Sequence, residues 1–216
     1  IYDRLVGSEM CIRDSSNIVP LIKRIKTDHE IEQIKKIHIE DSISWIKFLY
    51  WIDQSTQQDF KNKTELDLYN QLKKIRSENP LYICESFEGI FGNNSNGAII
   101  HYSTLKNNKK LKDGIILMDS GGHYYGATTD VTRTIFISSS HSSSLSSESN
   151  STSYTSSPSA KQKYIYTTVL KAHINIYQTL IPRKSKMSDI GAIIRNTILS
   201  ENYSKEKEKY FNKDFI

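Results

Sequence analysis

The 216-residue chain reads as an α+β protein, an antiparallel sheet set between two pairs of helices. Three observations lead there. Apolar residues recur at helical spacing in two stretches before residue 80 and two after residue 160. Between them the period switches to two, with β-branched and aromatic residues separated by Gly/Asn-rich turns. The two early helices also carry their own start signals. In Thr27-Asp28-His29-Glu30 and Thr64-Glu65-Leu66-Asp67 a threonine caps the helix and an acid three residues on reaches back to it.

Taken in order, the first segment stands apart. Met10-Cys11-Ile12-Arg13-Asp14-Ser15 looks like the translation of a sequencing-library adapter, so residues 1–15 are set aside and the domain is read over 16–216. The first helix runs over about 28–53, with Ile31, Ile34, His38, Trp45, Leu49 and Ile52 near helical spacing. The second follows Thr64, shows Leu68, Leu72 and Ile75 on one face, and ends at Asn79-Pro80. Strands are expected over 82–90, 98–103, 115–119 and 129–137, with turns over 92–97 and 106–114. Residues 138–160 are mostly serine. Such a stretch has too little apolar surface to offset its ordering entropy, which predicts a disordered insertion. A third helix over about 161–181 spaces Tyr166, Leu170, His173, Ile174, Tyr177 and Leu180 for burial, and Pro182 stops it. A fourth covers about 188–199, and the charged run 205–209 is expected in solvent.

Composition narrows the function classes. The net charge of +5 is spread along the chain. Its main clusters, Lys23-Arg24 with Lys26 and the lysines of 106–112, lack an aromatic platform or an arginine-lined helix. They read as solvated faces, and no nucleic-acid partner is expected. No apolar run approaches the length of a membrane span. The two cysteines, Cys11 and Cys84, form no disulfide framework, which fits a reducing compartment and a cytoplasmic location.

The chemistry concentrates in Asp119 and Asp130, which lie across a glycine-bearing turn beside runs of β-formers. Taken alone, Asp119 can cap the turn before Ser120-Gly121-Gly122, and Asp130 can stand in solvent. The other reading is that carboxylates on neighbouring strands converge and hold a hard divalent metal. Without the metal, like charges brought close repel and raise one pKa. His101 ends an apolar run upstream, where it can be a plain surface histidine or a donor to a developing oxyanion. Thr132 and Arg133 flank the second aspartate and can orient the carboxylates. His38, His123 and His173 are read as structural, His123 in a hairpin turn and the others on helix faces.

At this point a family comes into view. Asn96-Gly97-Ala98-Ile99-Ile100-His101-Tyr102, with Asp119-Ser120-Gly121-Gly122 and Thr129-Asp130-Val131-Thr132-Arg133-Thr134, closely resembles the Xaa-Pro aminopeptidase (aminopeptidase P) branch of the pita-bread metallopeptidases, in its eukaryotic cytosolic type. The resemblance extends over about 20–199. It implies the N-terminal half of a pita-bread catalytic domain, with a curved antiparallel sheet and flanking helices. It implies two divalent metal ions, usually manganese, with Asp119 a ligand of one and Asp130 bridging both. His101 carries over as the residue that binds substrate and stabilises the tetrahedral intermediate. The family's remaining ligands, one His and two Glu, are not found in this chain, so the fragment is expected to be inactive by itself. The implied partners are peptides with proline at the second position, and the implied parent is a homodimer. Two rival readings are another pita-bread peptidase, prolidase or methionine aminopeptidase, and a pita-bread binding module that has lost catalysis. The Ile-Ile-His-Tyr segment followed by Asp-Ser-Gly-Gly argues against the first. The joint presence of Asp119, Asp130 and His101 argues against the second.

Overall fold

The computed structural model describes residues 18–55, 62–138, 157–183 and 185–200. The adapter-like stretch 1–15, the charged run 205–209 and all of the serine insertion except Ser138 and residues 157–160 lie outside the described residues. No helix among the described residues is long and apolar enough to cross a membrane. The chain divides into two units, residues 1–154 and 155–216.

The first unit opens with α1 (Ile18–Lys23) and α2 (Asp28–Gln54). The capping box expected at Thr27 is present. Glu30 accepts from the Thr27 N–H at 2.8 Å, and the Glu30 N–H donates to Thr27 Oγ1 at 3.2 Å. Lys23 adds an ion pair to Glu30 at 2.7 Å. The Lys23 contact first, and the two bonds from Thr27 after it, hold the Glu30 carboxyl down at about 2. The buried stripe of α2 is Ile37, Asp41, Ser44, Trp45 and Phe48. This differs from the expected face, since His38 and Ile31 are exposed. The stripe includes two polar residues that an apolar pattern leaves out, so its apparent centre was displaced.

Helix α3 (Glu65–Ser77) starts at the second capping box, Thr64 with Asp67, and buries Leu68, Leu72 and Ile75 as expected. Strand β1 (Tyr82–Glu85) and strand β2 (Ile90–Asn93) replace the single strand expected over 82–90. The split falls at 86–89, where the chain passes from one sheet to another. Where a strand over 98–103 was expected, a 3-10 turn (Asn94–Ala98) gives way to irregular chain over 99–103, followed by a short helix, α4 (Thr104–Asn107). Then come β3 (Gly114–Ser120), β4 (Gly122–Tyr124), β5 (Ala127–Thr128) and β6 (Val131–Ile137).

These strands form two antiparallel three-stranded sheets, β1-β4-β5 and β2-β3-β6. Helices α2 and α3 cover one face of the second sheet. Trp45 and Phe48 from α2 meet Leu68, Tyr69, Leu72 and Ile75 from α3 over Phe91, Ile116, Met118 and Ile137. The Phe48 and Tyr69 rings stand edge-on to Phe91 at 6.2 and 5.9 Å. Burying that many aliphatic and aromatic side chains fixes the sheet's register, because a one-residue slip would turn Ile116 and Met118 outward.

In the second unit, Ser159 caps α5 (Ala160–Gln178) through a box with Gln162, and α6 (Met187–Ser200) packs against α5. Contrary to the expected face, α5 buries Thr168 and Ala172, while Tyr166, Leu170, Ile174 and Tyr177 remain exposed.

Candidate functional site

Strand β3 sets the site. Its alternation puts Ile116, Met118 and Ser120 on the buried helix-facing side, and Ile115, Leu117 and Asp119 half-buried on the other. Asp119 is therefore carried on the open face of a well-anchored strand. The chain then leaves this sheet, forms the β4–β5 hairpin beside β1, and returns as β6 immediately after Asp130. The two aspartates are thus joined by an excursion into a neighbouring sheet and not by a single tight turn. Gly126, at φ 109, makes the hairpin turn that a Cβ would strain.

The register pairs Asp119 with Thr132, so both side chains lie on the same face. Thr132 Oγ1 donates to Asp119 Oδ1 at 2.9 Å. Asp130 is within hydrogen-bonding reach of the Asp119 carboxyl and is held above the ordinary aspartate range. Local loss of solvent is the first cause, and the Asp119 charge and the bond between the two carboxyls add to it. No lysine, arginine or histidine forms an ion pair with either aspartate among the described residues.

The other sequence candidates fall in different places. His101 is exposed and sits in a turn at φ 53, not at a strand end. The loop that leads to it crosses the Asp119 face of β3, since a Cβ on Gly97 would stand 3.3 Å from Leu117 Cβ. Arg133 pairs in register with Met118, the opposite face from Asp119, and its guanidinium donates to the Thr132 carbonyl at 2.8 Å. It does not reach the carboxylates. His123 lies in β4, not in the turn, and its Nδ1 meets Thr128 Oγ1 at 2.7 Å. His173 stacks edgewise on Tyr177 at 5.0 Å, and both are exposed. No group of three or more His, Cys, Asp or Glu side chains is gathered for a metal among the described residues.

Behind β3 lies a polar cluster that sequence reading missed. Arg76 is fully buried. Its Nε donates to Asp41 Oδ1 at 2.7 Å, its Nη1 to Glu85 Oε2 at 3.1 Å, and its Nη2 to the Ser120 carbonyl at 3.3 Å. Tyr124 donates to Asp41 Oδ1, and Tyr82 to Glu85 Oε1, each at 2.7 Å. Burial alone would lower the Arg76 pKa, but the bond to Asp41 and the charges of Asp41 and Glu85 outweigh it and raise it. A lone arginine in the last turn of a helix reads as a surface cation, so no local signal marked it. Glu65 was likewise legible only as a first-turn acid. It is fully buried and accepts from the Asn93 N–H at 2.7 Å, Asn96 Nδ2 at 2.8 Å and Tyr102 OH at 2.5 Å.

The profile of metallopeptidase family M24 matches residues 32–215. A Xaa-Pro aminopeptidase of Caenorhabditis elegans is 30% identical over 198 residues, which is 90% of this chain and 29% of the relative. A probable Xaa-Pro aminopeptidase P of Arthroderma otae is 29% identical over 91% of this chain and 29% of its own length. This chain therefore spans less than a third of the relatives it matches. Among solved structures, the X-prolyl aminopeptidase of Caenorhabditis elegans, described as a cytosolic enzyme with a di-nuclear active site, superposes with a TM-score of 0.67 at 28% identity. The match covers 81% of this chain and 26% of that one. An X-Pro aminopeptidase of Thermotoga maritima gives a TM-score of 0.65 at 19% identity, over 86% and 45% of the two chains, a likeness of fold.

Proposed function

Since the chain belongs to metallopeptidase family M24, with its pita-bread fold, we propose that Asp119 and Asp130 are its share of a two-metal centre that cleaves the N-terminal residue from peptides with proline second. The observation that carries this reading is the pair itself. Two carboxyls stand in contact without a cation partner among the described residues, and one of them is harder to ionise than a free aspartate. Such a pair is destabilising in isolation and becomes favourable when a cation neutralises it.

The donor set fits a hard divalent ion. Both ligands are carboxylate oxygens, which suit manganese better than sulfur- or imidazole-seeking metals. Ions held there supply Lewis-acid polarisation of the peptide carbonyl and acidify a water. The chain's own residues do the rest. Thr132 fixes the rotamer of Asp119 through its Oγ1 bond to one carboxylate oxygen. His101, exposed on a loop that crosses the same face, binds substrate and donates toward the developing oxyanion. Two carboxylates alone make an incomplete coordination set, so cleavage requires further ligands beside them. The cytosolic description of the C. elegans enzyme supports a cytoplasmic protein.

The test is hydrolysis of an Xaa-Pro peptide by a full-length protein carrying this segment. Asp130→Asn is expected to abolish metal-dependent cleavage. His101→Ala is expected to retain metal and lose about 10²-fold or more in rate, the scale of a lost oxyanion donor. Full activity in Asp130→Asn overturns the reading.

A further inference from the structure

Neither candidate carboxylate is held by many side-chain partners, so the backbone has to set their separation. The segments that carry them, 119–122 and 128–131, meet at one place. Ser86, the residue after β1, touches both. Its N–H donates to the Gly121 carbonyl at 2.9 Å, and its Oγ donates to the Thr129 carbonyl at 3.1 Å. The segments also bond each other, Thr129 N–H to the Gly122 carbonyl at 2.9 Å and Gly122 N–H to Thr129 Oγ1 at 3.0 Å. At Gly121 they come so close that a Cβ would lie 1.9 Å from the Thr129 carbonyl oxygen and 2.7 Å from Ser86 Oγ.

The Thr129 carbonyl belongs to the peptide plane whose N–H is that of Asp130. Fixing its direction fixes the N–Cα bond of Asp130, and with it the point from which that side chain leaves the backbone. On the Asp119 side there is no compensating freedom, because buried Arg76 holds the neighbouring Ser120 by its carbonyl and its hydroxyl. Ser86 thus ties the backbone leading into Asp130 to the backbone leading out of Asp119 from a third segment, beside the direct bond from the Gly122 N–H to Thr129 Oγ1.

We propose that Ser86 is a positioning residue for the two-carboxylate centre, setting the separation of Asp119 and Asp130 through its hydroxyl on the Thr129 carbonyl and its N–H on the Gly121 carbonyl. This rests on the reading of the aspartates as metal ligands. A merely structural Ser86 would alter stability on mutation and leave metal affinity alone. A positioning Ser86 alters affinity, because an ion bridging two carboxylates is sensitive to their spacing.

The experiment is manganese binding by a full-length protein carrying this segment, read from the loss of free Mn²⁺ signal in electron paramagnetic resonance, with thermal melting of each variant alongside. Ser86→Ala is expected to weaken binding roughly tenfold, in line with the loss of an outer hydrogen bond at metal sites. Ser86→Thr, which keeps the hydroxyl, is expected to bind within about twofold of the parent while Ser86→Ala does not. Gly121→Ala, which forces the segments apart, is expected to weaken binding at least as much. Ser86→Ala binding as the parent does, while Asp130→Asn loses binding, overturns the positioning role and leaves the site reading intact. Parent binding that is absent, or unchanged in Asp130→Asn, overturns the site reading and this inference with it.

Discussion

Asp119 is oriented by one hydroxyl and opposed by one carboxyl, and those two contacts set what single changes at the site should do. Thr132→Val removes the Oγ1 bond to Asp119 on an exposed position. Manganese affinity should fall several-fold, up to about tenfold, with little change in melting temperature. Equal affinity in Thr132→Val would mean that the Asp119 rotamer is fixed by something else. Manganese should also raise the melting temperature of the parent chain, since a ligand that binds only the folded state stabilises it, and should not raise that of Asp130→Asn. Arg76 is a different kind of residue. Arg76→Ala leaves Asp41 and Glu85 without their cation inside the molecule. Breaking a buried pair from one side costs about 3–5 kcal/mol. Urea unfolding of that variant should show a loss of this size, and a loss below about 1 kcal/mol would mean that solvent reaches the cluster.

At the scale of elements, the capping boxes were the most legible features, because the bonds they make are local. The box at Thr27 also carries a pH signature. The folded Glu30 carboxyl is depressed from 4.5 to about 2, so its contribution is present above the unfolded value and is lost as pH falls through about 2. Helical signal from α2 should therefore weaken between those two values in the parent and not in Glu30→Gln. An equal acid response in both would remove Glu30 from the account. The period-two pattern placed Asp119 and Leu117 on one face of β3 and Met118 on the other, and the burial follows it. The region 98–103 misled the same reasoning. Ile99, Ile100 and Tyr102 look like a strand, yet Tyr102 is drawn inward to Glu65 and Asn96, and His101 turns through positive φ. Glu65 is distant in sequence, so the local pattern held no sign of it. The same holds for Ser86, whose two carbonyl partners come from beyond residue 120.

At the scale of the molecule, the described part of the first unit holds two three-stranded sheets, one of them covered on one face by α2 and α3 with Asp119 on its other face, and the second unit holds a pair of helices. The serine-rich stretch falls between β6 and the cap of α5. Deleting 139–156 should leave the stability of a complete parent within about 1 kcal/mol, as loop length costs little. A larger loss would mean that the stretch packs on the core. The central claim is that Asp119 and Asp130 together hold the metal, and manganese-induced line broadening in the amide spectrum of a full-length protein carrying this segment tests it most directly. Broadening should begin at 117–122 and 128–133, extend to the loop 97–102, and vanish in both Asp119→Asn and Asp130→Asn. Broadening centred on other surface acids, or unchanged in the two variants, would contradict it.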